Sequence, residues 1–310
     1  VLLWGRRGIE KCRPFATRWL DGHLRAGNVA RYSGAKSRAI VAGGLPLTTY
    51  AGHYGAALPC YEMAQQLKDA RARAVCADLG RIILHEASRN RFGLVNHDDF
   101  AEFAIPDTCY FAVSALMAAA VLDPAGGGPF RDQALYQLKT YTRVFLVPET
   151  GLAKTVLFKD GLGETYWTRA SGWLLWAMLA VIRDLPDPQR NLLLPDLERL
   201  ANGMAAVQDA SGGFPVWLDD PASPLESTGT LMFAMGVHEA VRRRWLPAKF
   251  QEPASRAWRF VEPRIDPDGG LRDCYTYWAI PAERRQMQMR TEAGGWIAGF
   301  VLAAAFEMTA

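Results

Sequence analysis

Acid–base and sugar-binding side chains stand at the starts of the long apolar stretches of this 310-residue chain. In chain order these starts carry His53 and Tyr54; Asp107; Trp167, Arg169 and Trp173; Glu226 and Ser227; and Arg290, Glu292 and Trp296. Flat aromatic rings stack on sugar faces, a guanidinium grips a carboxylate through paired hydrogen bonds, and a carboxyl group moves protons. Helix N-termini add unpaired N–H groups and a positive dipole end, which favour anions. Together these types describe a carbohydrate cleft.

Each residue also has a purely structural reading. Asp107 follows Pro106 and reads as a plain N-cap. Trp167 and Trp173 read as core aromatics, and Glu226-Ser227-Thr228 as ordinary helix-start chemistry. His53 reads as a satisfied or exposed histidine. A proton donor working at neutral pH needs a raised pKa, through burial or a neighbouring carboxylate, whereas capping N–H groups lower it. Asp107 therefore cannot be a fully engaged cap and an efficient acid at once.

The elements that must position these residues repeat along the chain. Turns with glycine before an apolar residue recur at Gly93, Gly151, Gly212 and Gly269, spaced 58, 61 and 57 residues apart. After each comes a loop of about 14–23 residues, then an apolar stretch beginning near Asp107, Arg169, Glu226 and Glu292. These stretches are apolar nearly all round, as buried helices are, and alternate with amphipathic segments such as 132–145 and 195–208, which suit an outer layer. An earlier pair, 9–24 and 52–67, follows the same plan. The unit is a helical hairpin of about 60 residues. Five such units and an N-terminal remnant predict an all-α fold, one (α/α)6-barrel domain over 1–310, possessing few strands beyond a short run such as 39–41.

Composition narrows the partners. Half the residues are hydrophobic and 22% are charged, within the globular range. The 35 Lys and Arg against 32 Asp and Glu leave a net charge of +3, too small and too interspersed for a nucleic-acid footprint. Between Asp21 and Glu62 there is no acid, while Arg25, Arg31, Lys36 and Arg38 add positive charge, either to draw an anionic ligand or as a solvated loop. The five cysteines contain no C-x-x-C pair, so neither a disulfide framework nor a zinc site is expected. The apolar start Val1–Trp4 is too short for a signal core or a membrane span. The chain begins without Met, which leaves a removed leader open.

The residues now in view resemble glycoside hydrolase families 88 and 105, the unsaturated glycuronyl and rhamnogalacturonyl hydrolases. Tyr166-Trp167-Thr168-Arg169-Ala170-Ser171-Gly172-Trp173 is similar to their W-G-R-G-N-G-W signature, and Leu225–Phe233 to their E-S-S-x-T-A-M-F helix start. Ile105-Pro106-Asp107-Thr108 falls where the family has W-V-D-D/T, and Thr150-Gly151-Leu152 matches its T-G-L turn. The resemblance runs from about residue 12 to the end.

It implies an (α/α)6 barrel that hydrates the C4=C5 double bond of a terminal unsaturated uronic acid on an acidic oligosaccharide. Asp107 would protonate C4 and help activate the water that attacks C5. Arg169 would face the substrate, Trp167 and Trp173 would shape the sugar site, and His53, Tyr54, Glu226 and Ser227 would complete the binding residues. No metal or cofactor is implied, and the compartment of such enzymes is usually the cytoplasm.

The sequence departs from the family at three places. Residues 22–61 lack the family's second acid, with His53 and Tyr54 nearby instead; Ala153-Lys154-Thr155 stands where a member has histidine after T-G-L; and Ala170-Ser171 replaces Gly-Asn. Two other readings stay open. One is a conventional uronidase using Glu226 or Glu292 as a second carboxylate; the other is a degenerate toroid that binds an acidic glycan or a protein partner without turnover. Sugar epimerases lack support, because His23, His53, His85, His97 and His238 form no suitable pair at helix starts.

Overall fold

The glycines that mark the sequence repeat are also those whose backbone requires glycine. Gly93, Gly151, Gly212 and Gly269 have φ of +74°, +68°, +94° and +86°, in the region that L side chains rarely adopt. The turns are built alike in a computed structural model that describes residues 9–25, 41–42, 45–46, 51–97, 102–267, 269–276, 290–291 and 308. The Gly93, Gly212 and Gly269 N–H groups donate to the carbonyls of Asn90, Asp209 and Asp266, three residues back, at 2.8–2.9 Å. Gly151 closes a turn one residue wider, onto Val147, at 2.8 Å.

The turns separate helices whose ranges follow the predicted pattern. Helix α1 is Ile9–Arg25. Strands β1 (Val41–Ala42) and β2 (Leu45–Pro46) pair antiparallel. A 3-10 segment, Ala51–Ala56, then runs into α2, Ala57–Gln66, followed by α3, Ala70–His85. Next come α4 (Pro106–Leu122) and α5 (Gly128–Phe145). Helices α6 (Thr168–Ile182), α7 (Asp187–Asn191) and α8 (Leu194–Ala206) precede the antiparallel pair β3 (Phe214–Pro215) and β4 (Leu225–Glu226). Helices α9 (Ser227–Arg242) and α10 (Gln251–Val261) and the pair β5 (Tyr275–Thr276) and β6 (Arg290–Thr291) complete the described elements. The strand expected at 39–41 is described only at Val41, inside β1. The stretch beginning at Glu292 lies outside the described residues, as does the basic segment around Arg31, Lys36 and Arg38.

Burial separates two kinds of helix, as the sequence pattern requires. Along α4 only Asp107, Phe111 and Val121 are not buried, and α9 is buried without interruption from Ser227 to Val237. Helices α3, α5, α8 and α10 bury one face and leave the other wet; α10, for instance, buries Ala254, Ala257, Trp258, Phe260 and Val261.

The contacts gather into two compact units. One holds Val1–Phe145, Val156–Gly163 and Ala177–Arg190; the other holds Leu146–Thr155, Glu164–Trp176 and Asn191–Ala310. In the first, α3 and the 3-10 segment pack on α4, and α4 packs on α5. In the second, α9 packs on α10. Among the described residues no helix is long and apolar enough to cross a membrane.

The turn geometry makes a prediction. Gly212 combines positive φ with the Arg256 backbone in the space a Cβ would fill, whereas Gly269 shares the φ but has no described atom within 4 Å of that position. Gly269→Ala is expected to cost about 1–2 kcal/mol from backbone strain alone. Gly212→Ala should cost clearly more, because the turn must move off α10. Urea unfolding of the two variants measures the difference.

Candidate active site

The unit containing α4 places Asp107 at the second residue of a buried helix. Pro106 occupies the first helical position, where its missing N–H costs nothing, and the extended residue Ile105 (φ −136°, ψ 157°) is the N-cap. The structural reading of Asp107 as the N-cap is therefore corrected. The N-cap makes no side-chain hydrogen bond. Asp107 stays half-buried with its Oδ1 inside the protein.

The residue after it anchors the helix start. Thr108 Oγ1 lies 2.9 Å from Nδ1 of His97, a histidine only 3% exposed that sequence reading did not place here. Thr108 also bonds the hydroxyl of Tyr141, which burial pushes well above its usual pKa and which lies in the field of Asp107. The backbone of His97 reaches further: its carbonyl accepts the Ala51 N–H at 2.9 Å, fixing the start of the 3-10 segment that carries His53 and Tyr54. That segment lies against α4 so closely that a Cβ at Gly55 would sit 3.1 Å from the Phe111 ring. His53 is half-buried, while Tyr54 is interior at 2% exposure, within electrostatic reach of Arg89.

The other unit brings Trp167, Arg169, Glu226 and Ser227 together. The Arg169 guanidinium lies over the Trp167 ring, 4.2 Å from its centroid, and both residues are buried. This stacking orients a cation at about 0.5–2 kcal/mol and holds the planar fork in one attitude.

Two loops clamp the segment that carries the pair. Thr168 N–H donates to Val216 at 3.0 Å, Leu218 N–H donates to Tyr166 at 2.8 Å, and the Thr155 hydroxyl accepts the Trp167 N–H at 3.0 Å. Thr155 is itself bonded to Thr165, so this threonine replaces the family's histidine with a buried hydroxyl brace. Ser171, where the signature has Asn, accepts the Ala153 N–H of the T-G-L loop at 3.1 Å. Trp167 and Ala170 form a small core with Val216 and Trp217, and Tyr275 packs against it. Trp173 is buried in α6.

Glu226 is a helix cap. Its carboxylate accepts the N–H groups of Thr228 and Gly229 at 2.7 and 2.5 Å and the Thr228 hydroxyl at 2.6 Å. The cap needs glycine at 229: a Cβ there would meet Thr168 of α6 and lie 2.8 Å from Glu226 Oε1. Burial raises the Glu226 pKa; the Arg169 charge and the capping donors pull it back, and burial prevails. The helix-start reading of Glu226 therefore holds. Ser227 is fully buried, and its Oγ has no hydrogen-bond partner among the described residues. Arg290 is described only as a β6 residue, and Glu292 and Trp296 lie outside the described residues.

Because the Glu226 pKa is raised on folding, its contribution to stability is complete below the unfolded-chain value and is lost as pH rises through the folded value. Glu226→Gln, which cannot ionise, is expected to be less stable than the parent at pH 4, with the gap narrowing toward pH 7. Parallel urea titrations over that range read the sign directly; a gap that widens with pH would show that the ionised form is the favoured one.

Comparison with known proteins identifies the family and the fold. The description Glycosyl Hydrolase Family 88 matches residues 31–310. A Salmonella enterica serovar Paratyphi A protein described as a possible member of family GH105 superposes with a TM-score of 0.80 at 21% identity, covering 99% of this chain and 80% of its own. A Bacteroides vulgatus glycosyl hydrolase of family 88 gives 0.71 at 17%, covering 98% and 87%. An unsaturated glucuronyl hydrolase of Bacillus sp. GL1, responsible for glycosaminoglycan degradation, gives 0.69 at 16%, covering 99% and 83%. No curated protein sequence matches the chain. The likeness to solved structures establishes the all-α (α/α)6 fold. With the family description matching nine-tenths of its length, the chain belongs to glycosyl hydrolase family 88.

Proposed function

We propose that the protein removes a terminal unsaturated uronic acid from acidic oligosaccharides by hydrating the C4=C5 double bond. Asp107 delivers a proton to C4, and the positive charge that develops is shared by C5 and the ring oxygen. Water, relieved of a proton by the same carboxylate, adds to C5. The hemiketal at C5 opens by breaking its bond to the ring oxygen, and the hemiacetal then left at C1 expels the neighbouring sugar as its alcohol. One water is consumed and Asp107 ends protonated as it began.

The observation that carries this reading is the placement of Asp107, half-buried at the second residue of α4, with Pro106 at the first position and Ile105 at the N-cap. Partial burial favours the protonated form of a carboxyl group. Arg169, held flat on Trp167, suits a planar carboxylate on the substrate. A sugar hydroxyl would satisfy Ser227 Oγ. In the unit that holds Asp107, His53 and Tyr54 stand on the 3-10 segment packed on α4, and in the other unit Trp173 stands in α6 and Glu226 at the start of α9; all four are proposed to serve substrate binding.

The conventional uronidase reading is less well supported. It requires two working carboxyls about 5–9.5 Å apart, and both oxygens of Glu226 are engaged at the start of α9. Glu292, the other candidate, lies outside the described residues.

A panel of lyase-generated unsaturated disaccharides tests the proposal, through loss of the ultraviolet absorbance of the conjugated double bond. The wild-type protein should bleach at least one member, and Asp107→Asn should be about 10²–10⁴-fold slower. Unchanged bleaching by Asp107→Asn would remove this residue from the chemistry. Arg169→Lys keeps the charge but loses the fork, and is expected to raise KM about tenfold on the free carboxylate while changing it little on the methyl ester. Equal losses on both substrates would mean that Arg169 is structural.

A further inference from the structure

A carboxyl group that protonates one carbon must be held to within a fraction of an ångström, and a misplacement of about 1 Å can cost on the order of a hundredfold in rate. Beside Asp107 the structure holds a buried chain of hydrogen bonds whose direction can be counted out. The Val95 carbonyl can only accept, and the Tyr141 hydroxyl donates to it at 3.2 Å. A phenol has one proton, so the second bond of this hydroxyl, with Thr108, is one it accepts. The only hydroxyl proton of Thr108 is thereby committed. The 2.9 Å contact between Thr108 Oγ1 and His97 Nδ1 then requires the hydrogen to sit on Nδ1.

We infer that His97, protonated on Nδ1, is a positioning residue for Asp107, fixing the start of α4 through Thr108 at the head of a one-way chain that ends on Val95. The inference rests on the reading of Asp107 as proton donor. His97 is well placed for this role because its own backbone is fixed at both ends. Its N–H donates to Phe103 at 2.9 Å and its carbonyl accepts from Ala51 at 2.9 Å, so one residue ties the 3-10 segment bearing His53 to the helix bearing Asp107. The ring is 3% exposed and packs against Phe103 at 5.2 Å between centroids. Its hydrogen bond is therefore made in a setting where water does not replace a lost partner.

Two readouts test this in the full-length protein. Nitrogen NMR of histidine-labelled protein is expected to show His97 with hydrogen on Nδ1; a neutral ring with its hydrogen on Nε2 and none on Nδ1 would overturn the inference. On an unsaturated disaccharide, Thr108→Val, close to isosteric, should lower kcat about ten- to a hundredfold with KM within about twofold. His97→Gln should do the same. His97→Asn, whose amide nitrogen can reach the Nδ1 position, should recover most of the loss, and the His97→Gln/Thr108→Val double variant should be no slower than either single one. A kcat for Thr108→Val within about twofold of wild type would also overturn the inference. Activity surviving in Asp107→Asn would instead refute the role of Asp107, while the NMR result would still decide the direction of the chain.

Discussion

A helix buried on nearly every side cannot leave its first N–H groups to water, and this constraint shapes the start of α4 in one unit and of α9 in the other. The chain meets it in two ways. At α9 a buried carboxylate, Glu226, takes the N–H groups of Thr228 and Gly229, which requires glycine where the start of α9 comes up against Thr168. At α4 proline occupies the first helical position, which needs no N–H partner, and the extended Ile105 stands at the N-cap, so Asp107 lies one residue inside the helix. Two acids at similar points of the repeat thus take different backbone positions.

Much of the architecture was legible in the sequence because its strongest signals are steric. Glycine spacing predicted the repeat, and the same glycines have positive φ in turns of nearly common design. Helix positions followed from apolar periodicity; the stretch expected to begin near Arg169 starts at Thr168, and the one near Asp107 starts at Pro106. The cap assignment of Asp107 failed for an identifiable reason. Proline prefers the first helical position, which moves the cap one residue before it and the acid one residue beyond.

The rest depends on contacts that no local pattern encodes. His97 belongs to no suitable histidine pair at helix starts in the sequence, yet the fold brings its ring onto Thr108, eleven residues away. Backbone position is another such case: Glu226 and Asp107 are each an acid at the head of an apolar stretch, and only the structure shows Glu226 at the N-cap and Asp107 one residue inside its helix. The departures from the family signature acquire local explanations in the same way: Thr155 accepts the N–H of Trp167 just before α6, and Ser171, within α6, accepts the N–H of Ala153 in the T-G-L loop.

The central claim is that Asp107, an acid in the first turn of α4, protonates carbon rather than a glycosidic oxygen. Turnover of an unsaturated disaccharide in deuterium oxide, followed by NMR of the released uronic acid, tests it most directly. The account predicts solvent deuterium at C4 and a saturated product that opens to a ketone at C5. A product with its double bond intact and no deuterium at C4 would contradict it, and would mean that the bond to the neighbouring sugar is broken by ordinary displacement at C1.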